Sequence, residues 1–150
     1  SHAARGTNVA LAGQVLIYPA LGLDLNAGSY LTHANAPMLS RSDVQFYRDI
    51  RFDGPPDDED VRAWPLRDED FVGLPPTFVV TAECDPLAED GPAYVKELRA
   101  AGVPAICVEE PGLVHGYLRA RNSVARARDS FERILFAIAA FGRGDWPFDT

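Results

Sequence analysis

Three short apolar runs, each closed by a turn signal, restrict what this chain can become more than any other feature. They are "GQVLIYP" (13–19), "TFVVTA" (77–82) and "AICVEE" (105–110). Each is rich in β-branched or aromatic residues, and none alternates strictly between apolar and polar. Such runs read as strands buried on both faces, which is the habit of parallel rather than one-sided antiparallel sheets. Parallel strands need long crossovers, and the segments between and after the runs supply them. The order strand, long crossover, strand, helix, strand, helix predicts an α/β fold: a parallel sheet with covering helices.

The crossovers carry helix signals. "LSRSDVQFYRDIRF" (39–52) places Ser40 as a cap with Asp43 three residues on, and Val44, Phe46, Tyr47 and Ile50 recur at helical spacing. "NAGS" (26–29) and "GPPDD" (54–58) read as breakers, with a short helical piece expected at 57–64. After the second strand, Asp85 is placed to cap a helix and Pro86 to occupy its first position. Leu87, Tyr94, Val95 and Leu98 then fall on one face, Gly102 closes the helix and Pro104 prevents its continuation. A last helix is expected at about 122–141, capped by Asn122 or Ser123. Its apolar stripe would be Val124, Ala127, Phe131, Ile134, Leu135, Ile138 and Phe141.

Composition narrows the function classes. A chain of 150 residues, 47% apolar and 24% charged, suits one soluble globular domain. A net charge of −8 argues against nucleic acid and anionic membranes as partners, and the acidic run "DDEDVR" (57–62) reads as a solvated loop or helix start. No run is long enough to span a bilayer, and no basic-then-apolar leader opens the sequence. Cys84 and Cys107 lie in or beside strand-like runs, without disulfide or metal spacing, and are expected as buried free thiols. That usage points to a cytoplasmic location. His2, His33 and His115 stand apart from any cysteine or carboxylate cluster, so no metal site is expected.

In open α/β sheets the functional groups gather at the carboxyl ends of the strands. Two candidates stand there: Asp85, just past the second strand, and His115 in "EEPGLVHGYL" (109–118), past the third. Adjacent parallel strands would bring their loops together. An aspartate that accepts the imidazole Nδ1–H fixes the tautomer and leaves Nε2 free to take a proton from a nucleophile. Two plainer readings stay open at this point. Asp85 can be a helix cap alone, and His115 can be a loop histidine bonded to a backbone carbonyl.

"PPTFVVTAECDPLAEDG" and "GVPAICVEEPGLVHGY" resemble the two C-terminal signatures of the hormone-sensitive-lipase-like branch of the α/β-hydrolases, a group of bacterial esterases, lipases and acetyl-hydrolases. The matching features are Asp85-Pro86-Leu87 with the acidic pair Glu89 and Asp90, then Pro111-Gly112-Leu113-Val114-His115-Gly116-Tyr117. "LAGQVLIYP" (11–19) is similar to the sixth strand of that family. The resemblance implies the C-terminal portion of an α/β-hydrolase fold, with three parallel strands corresponding to strands 6–8. Residues 1–150 would be a partial domain whose connection at 20–75 carries pocket or cap-like helices.

The same resemblance implies a serine carboxylester hydrolase acting by acyl transfer, with Asp85 as triad acid, His115 as triad base and no cofactor. The nucleophile of the family stands in Gly-x-Ser-x-Gly. No such motif occurs here; the serines are at 1, 29, 40, 42, 123 and 130, and the His-Gly-Gly motif is absent too. The chain is therefore expected to be a hydrolase fragment, inactive alone. Its substrate would be an ester with an apolar acyl or alcohol part, and Leu39, Phe46, Leu87, Leu113 and Val114 are the candidates to line the pocket. The strand at 13–18 would be left as an apolar edge that seeks a partner. That partner would be an N-terminal half, another copy, or a non-native strand from 1–11. A homodimer through the last strand and helix is a further expectation. The alternative function is a non-catalytic, hydrolase-like binding or receptor module.

Overall fold

The computed structural model describes residues 1–51 and 60–148. Its three strands form one parallel sheet in the order β1 (Gln14–Ile17), β2 (Thr77–Cys84), β3 (Ala105–Val114). β2 is the central strand. Gln14 stands opposite Thr77 and Ile17 opposite Val80; on the other side Thr77 stands opposite Ala105 and Ala82 opposite Glu110. Phe78, Val79, Val80 and Ala82 are wholly buried, as a strand covered on both faces requires. Among the described residues four α-helices accompany the sheet: α1 (Gly28–Thr32), α2 (Arg41–Arg51), α3 (Asp90–Ala100) and α4 (Ala125–Gly142).

The strands alternate between two cores, as their two-residue period dictates. Leu16, Val79 and Cys107 face α3, where Tyr94, Val95 and Leu98 complete one cluster. Val15, Ile17, Phe78, Val80, Ile106 and Val108 face α4, against Ile134, Ala137 and Phe141. Gly91 lets α3 settle onto the sheet: a methyl group there would lie 2.5 Å from Thr81 Cγ2 and 2.9 Å from Val79 Cγ1. Ser40 and Asp43 bond reciprocally at the start of α2, with Ser40 N–H to Asp43 Oδ2 at 2.8 Å and Asp43 N–H to Ser40 Oγ at 3.1 Å. α3 ends in a Schellman closure, Gly102 N–H to Arg99 O at 3.0 Å and Val103 N–H to Leu98 O at 2.9 Å.

Several expectations are corrected. α3 begins at Asp90 rather than after Asp85, because residues 85–89 wrap in a turn before the helix axis is set. Leu87 therefore leaves the α3 face and joins Leu25, Tyr30 and Leu39 in a separate cluster. α4 is capped by neither Asn122 nor Ser123; its N-cap is Val124, without a side-chain bond. The buried stripe of α4 is Ala127, Ser130, Ile134, Ala137, Ala140 and Phe141, while Val124, Leu135 and Ile138 are exposed. Small residues let the helix lie close to the sheet beside Ile134 and Phe141, while Leu135, Phe136 and Ile138 are turned outward. The "NAGS" breaker overlaps the start of α1. The helical piece expected at 57–64 falls partly outside the described residues, and residues 61–63 form a turn. Cys84 and Cys107 are free thiols but half-buried, and burial pushes the Cys107 thiol up to about 11.

Residues 1–11 form turns and supply no strand, so the expected non-native pairing of β1 does not occur there. They are nonetheless anchored. His2 is buried, with Nδ1 2.6 Å from Asp68 Oδ2 and Nε2 2.8 Å from the Tyr94 hydroxyl, and Arg5 donates to the same Asp68 oxygen at 2.7 Å. Among the described residues no helix is long and apolar enough to cross a membrane.

Candidate active site

The carboxyl ends of all three strands meet at one place. Asp85 leaves β2 and enters the turn closed by Ala88 N–H to Asp85 O at 3.0 Å. Its side chain is wholly buried, and Oδ1 accepts the Leu87 N–H at 2.9 Å. Asp85 thus caps its own turn rather than α3, which leaves Oδ2 directed toward the end of β3.

β3 reaches that oxygen through an irregularity. Ala82 pairs with Glu110, but Cys84 pairs with Val114, so β3 spends extra residues where β2 spends one. Pro111 has no N–H to give a ladder, and the Gly112 N–H bonds instead to Glu83 Oε2 at 2.6 Å. Such bulges bend a strand and re-aim its side chains. Gly112 (φ 68°) and Gly116 (φ 73°) both take left-handed backbone on either side of His115, a conformation that glycine adopts without steric cost. Gly116 then starts the 3₁₀ segment Tyr117–Ala120. Tyr117 is pinned to α4 by a 2.6 Å bond between its hydroxyl and Ser130 Oγ.

His115 Nδ1–H donates to Asp85 Oδ2 at 2.7 Å. Both plainer readings thereby give way: Asp85 does not cap α3, and the Nδ1 partner of His115 is a carboxylate rather than a backbone carbonyl. The imidazole is partly open, at 24% side-chain exposure, whereas the carboxylate has none. Nε2 has no hydrogen-bond partner among the described residues, and His115 borders a cavity of about 290 Å³. Leu25, Tyr30, Leu39 and Leu87 give that cavity an apolar side. α2 contributes Val44, Tyr47, Arg48 and Arg51, the i, i+3, i+4, i+7 face of a helix, and Arg48 lies 4.6 Å from the centre of the Trp64 ring.

Of the five residues expected to line a pocket, the structure brings Leu39 and Leu87 to this cavity. Phe46 is corrected: it lies off the inward face of α2, is 58% exposed and touches Tyr47 instead. Leu113 and Val114 are also not among the lining residues, and Leu113 packs toward Ala82, Tyr117 and Ala127. Sequence reasoning missed Val44, Tyr47 and Trp64, and it missed Tyr18. The last was within reach, because Tyr18 follows β1 as Asp85 follows β2. Among the described residues no group of three or more His, Cys, Asp or Glu side chains is placed to hold a metal ion.

The family described as alpha/beta hydrolase fold matches residues 1–119. The chain belongs to the α/β-hydrolase family, in its hormone-sensitive-lipase-like branch. Carboxylesterase NlhH of Mycobacterium tuberculosis is 36% identical over 129 residues, which cover 83% of this chain and 40% of that protein. A thermostable esterase from Pseudomonas putida ECU1011 superposes with a TM-score of 0.81 at 30% identity, covering 89% of this chain and 43% of the other. A Pyrobaculum calidifontis esterase superposes at 0.84 with 29% identity, over 91% and 46%. The chain spans about 40% of the length of the curated relatives it matches.

Proposed function

We propose that this chain is the acid- and base-bearing part of a serine carboxylester hydrolase. The observation that carries the proposal is the 2.7 Å bond from His115 Nδ1 to a wholly buried Asp85, with His115 bordering a cavity and its Nε2 without a hydrogen-bond partner among the described residues. In the assembled enzyme a serine hydroxyl would give its proton to His115 Nε2 as it attacks the ester carbonyl. The imidazolium, stabilised by Asp85, would then return the proton to the leaving alcohol, and water would release the acyl group by the same route. The apolar side of the cavity suits an ester with an apolar acyl or alcohol part.

The nucleophile would come from outside these residues. The serine hydroxyls seen in contacts are engaged elsewhere: Ser29 with Pro86 O, Ser40 with Asp43, Ser123 with Ala120 O and Ser130 with Tyr117. β1 bonds to β2 on one side only among the described residues, which leaves an edge for a strand of an N-terminal half or of another copy. The isolated chain would show no turnover of a short-chain p-nitrophenyl ester. Supplied with a segment that carries Gly-x-Ser-x-Gly and an oxyanion motif, it would hydrolyse that ester, and His115→Ala would abolish the activity. Serine-reagent-sensitive turnover by the pure chain would refute the division of labour. Full activity of the assembled His115→Ala protein would refute the role of His115, and a well-folded assembly without activity would favour a binding module.

A further inference from the structure

We propose that Tyr18 is a positioning residue for His115, holding the imidazole from the side that Asp85 does not hold. The inference rests on the reading of His115 as the base. It starts from a backbone outlier. Tyr18 has φ 37°, a left-handed conformation that residues with a side chain ordinarily avoid. Strain of this kind persists where the surroundings over-determine it, and two contacts do so here. The Tyr18 N–H donates to Val80 O at 2.7 Å, which continues the β1–β2 ladder by one bond and fixes the backbone. The ring then packs against the buried cluster of Ala82, Tyr117 and Ala127 at the end of the sheet.

The result is an aromatic wall around the imidazole. The Tyr18 ring centre lies 4.6 Å from that of His115, at an interplanar angle of 61°, and 5.5 Å from that of Tyr117. Tyr117 is itself bonded to Ser130 of α4, so the wall has a rigid back. A hydrogen bond to Asp85 fixes one atom of the imidazole and leaves its tilt free; a ring packed edge-to-face restricts the tilt. Three consecutive strand ends thus contribute to one device: Tyr18 from β1, Asp85 from β2 and His115 from β3. Tyr18 also borders the same cavity as His115.

The test compares Tyr18→Phe with Tyr18→Asn in the full chain. Asparagine tolerates left-handed backbone, so it removes the ring without adding backbone strain. Two-dimensional NMR of the His115 ring needs no nucleophile and separates this proposal from the enzyme reading. Tyr18→Phe should leave the Nδ1–H resonance and its exchange rate at native values, whereas Tyr18→Asn should speed that exchange at least about tenfold. In the assembled enzyme Tyr18→Asn should lower kcat about tenfold or more with KM nearly unchanged, and Tyr18→Phe should restore it. Native exchange in the folded Tyr18→Asn chain would overturn the proposal. So would a Tyr18→Phe variant as impaired as Tyr18→Asn, since that would assign the effect to the hydroxyl. If the assembly with native Tyr18 shows no esterase activity, the enzyme reading fails on its own, and the exchange measurement still decides whether Tyr18 holds His115.

Discussion

Among the described residues two aspartate–histidine pairs have nearly equal geometry. His2 lies 2.6 Å from Asp68 and His115 lies 2.7 Å from Asp85, each through Nδ1. What differs is the second nitrogen. At His2 it meets the Tyr94 hydroxyl at 2.8 Å inside the packed structure, and the side chain is 4% exposed. At His115 it meets no partner among the described residues; the residue borders a cavity, and its side chain is 24% exposed. A fully bonded imidazole ties segments together, and a half-bonded one can move a proton. The pair alone therefore says little about catalysis; what faces Nε2 decides.

The largest expected contrast is in turnover. In the assembled enzyme, Asp85→Asn should lower kcat by about 10⁴-fold, because an amide would hold the imidazole in the wrong tautomer. Asp68→Asn, with the equivalent change at the other pair, should leave kcat per folded molecule within about twofold. Steady-state kinetics of both variants, normalised to folded protein, check this. Equal losses at the two aspartates would break the distinction.

A third buried carboxylate sharpens the comparison by lacking a histidine. Asp90 accepts the N–H groups of Leu21 and Gly22 at 2.6 and 3.1 Å, and burial nevertheless pushes it up to about 6. At Asp68 burial works the same way, but the Asp70 N–H, His2 and Arg5 together outweigh it and hold that carboxyl below its usual range. The signs then oppose. The folded state holds the Asp90 proton more tightly than the unfolded one, so this group's contribution to stability falls as pH rises from about 4 to about 6. The loss is on the order of a few kcal/mol across that window. Urea midpoints for Asp90→Asn should lack this decline, and the native-minus-variant difference should shrink as pH rises. A difference that does not change with pH would show that Asp90 is not held protonated by the fold.

These contrasts also show what the sequence could and could not carry. The three strands were legible because β-branched runs with bounding glycine and proline have few other uses. Asp85 and His115 were legible because strand ends in a parallel sheet converge. The start of α3 was misjudged for a reason internal to the site: the Asp85 carboxylate is shared between Leu87 N–H and His115, so it does not cap the helix. On α4, Ala127, Ile134 and Phe141 are buried as expected, but the rest of the stripe was misread because hydrophobicity does not report the room available. The sheet admits Ala127, Ala137 and Ala140 and leaves Leu135 and Ile138 outside. Phe46 failed on helix phase, one position from Tyr47. The His2–Asp68 pair left no local signal at all, since 66 residues separate its members.

Stability should reverse the ranking of the two histidines. His2→Ala leaves the buried Tyr94 hydroxyl and the nearly buried Asp68 carboxylate each short of a partner, a loss of about 1–3 kcal/mol. His115→Ala removes a partly solvated ring and should cost less, although it too deprives Asp85 of one bond. Denaturant midpoints of the two alanine variants, read in the same buffer, measure the order directly. A larger loss at His115 would mean that the His115–Asp85 pair holds the fold more firmly than the pair at His2.

The smallest effect concerns protons at His2. Burial lowers its affinity for a proton below the ordinary histidine value, and the opposing pull of Asp68 does not overcome this. The folded state then binds fewer protons than the unfolded state, so the contribution of His2 is fully present above about 6.5 and is lost as pH falls through the lowered folded value. This slope has the same sign as that of Asp68 and the opposite sign to that of Asp90. A His2→Gln chain should therefore be less pH-sensitive than the native one on the acid side of 6.5, after the Asp90 contribution is removed in both by Asp90→Asn. An unchanged slope in that background would assign the acid sensitivity to groups other than His2. It would also mean that the bonds to Asp68 and Tyr94 compensate the burial of the imidazole, leaving the two histidines distinguished by access alone.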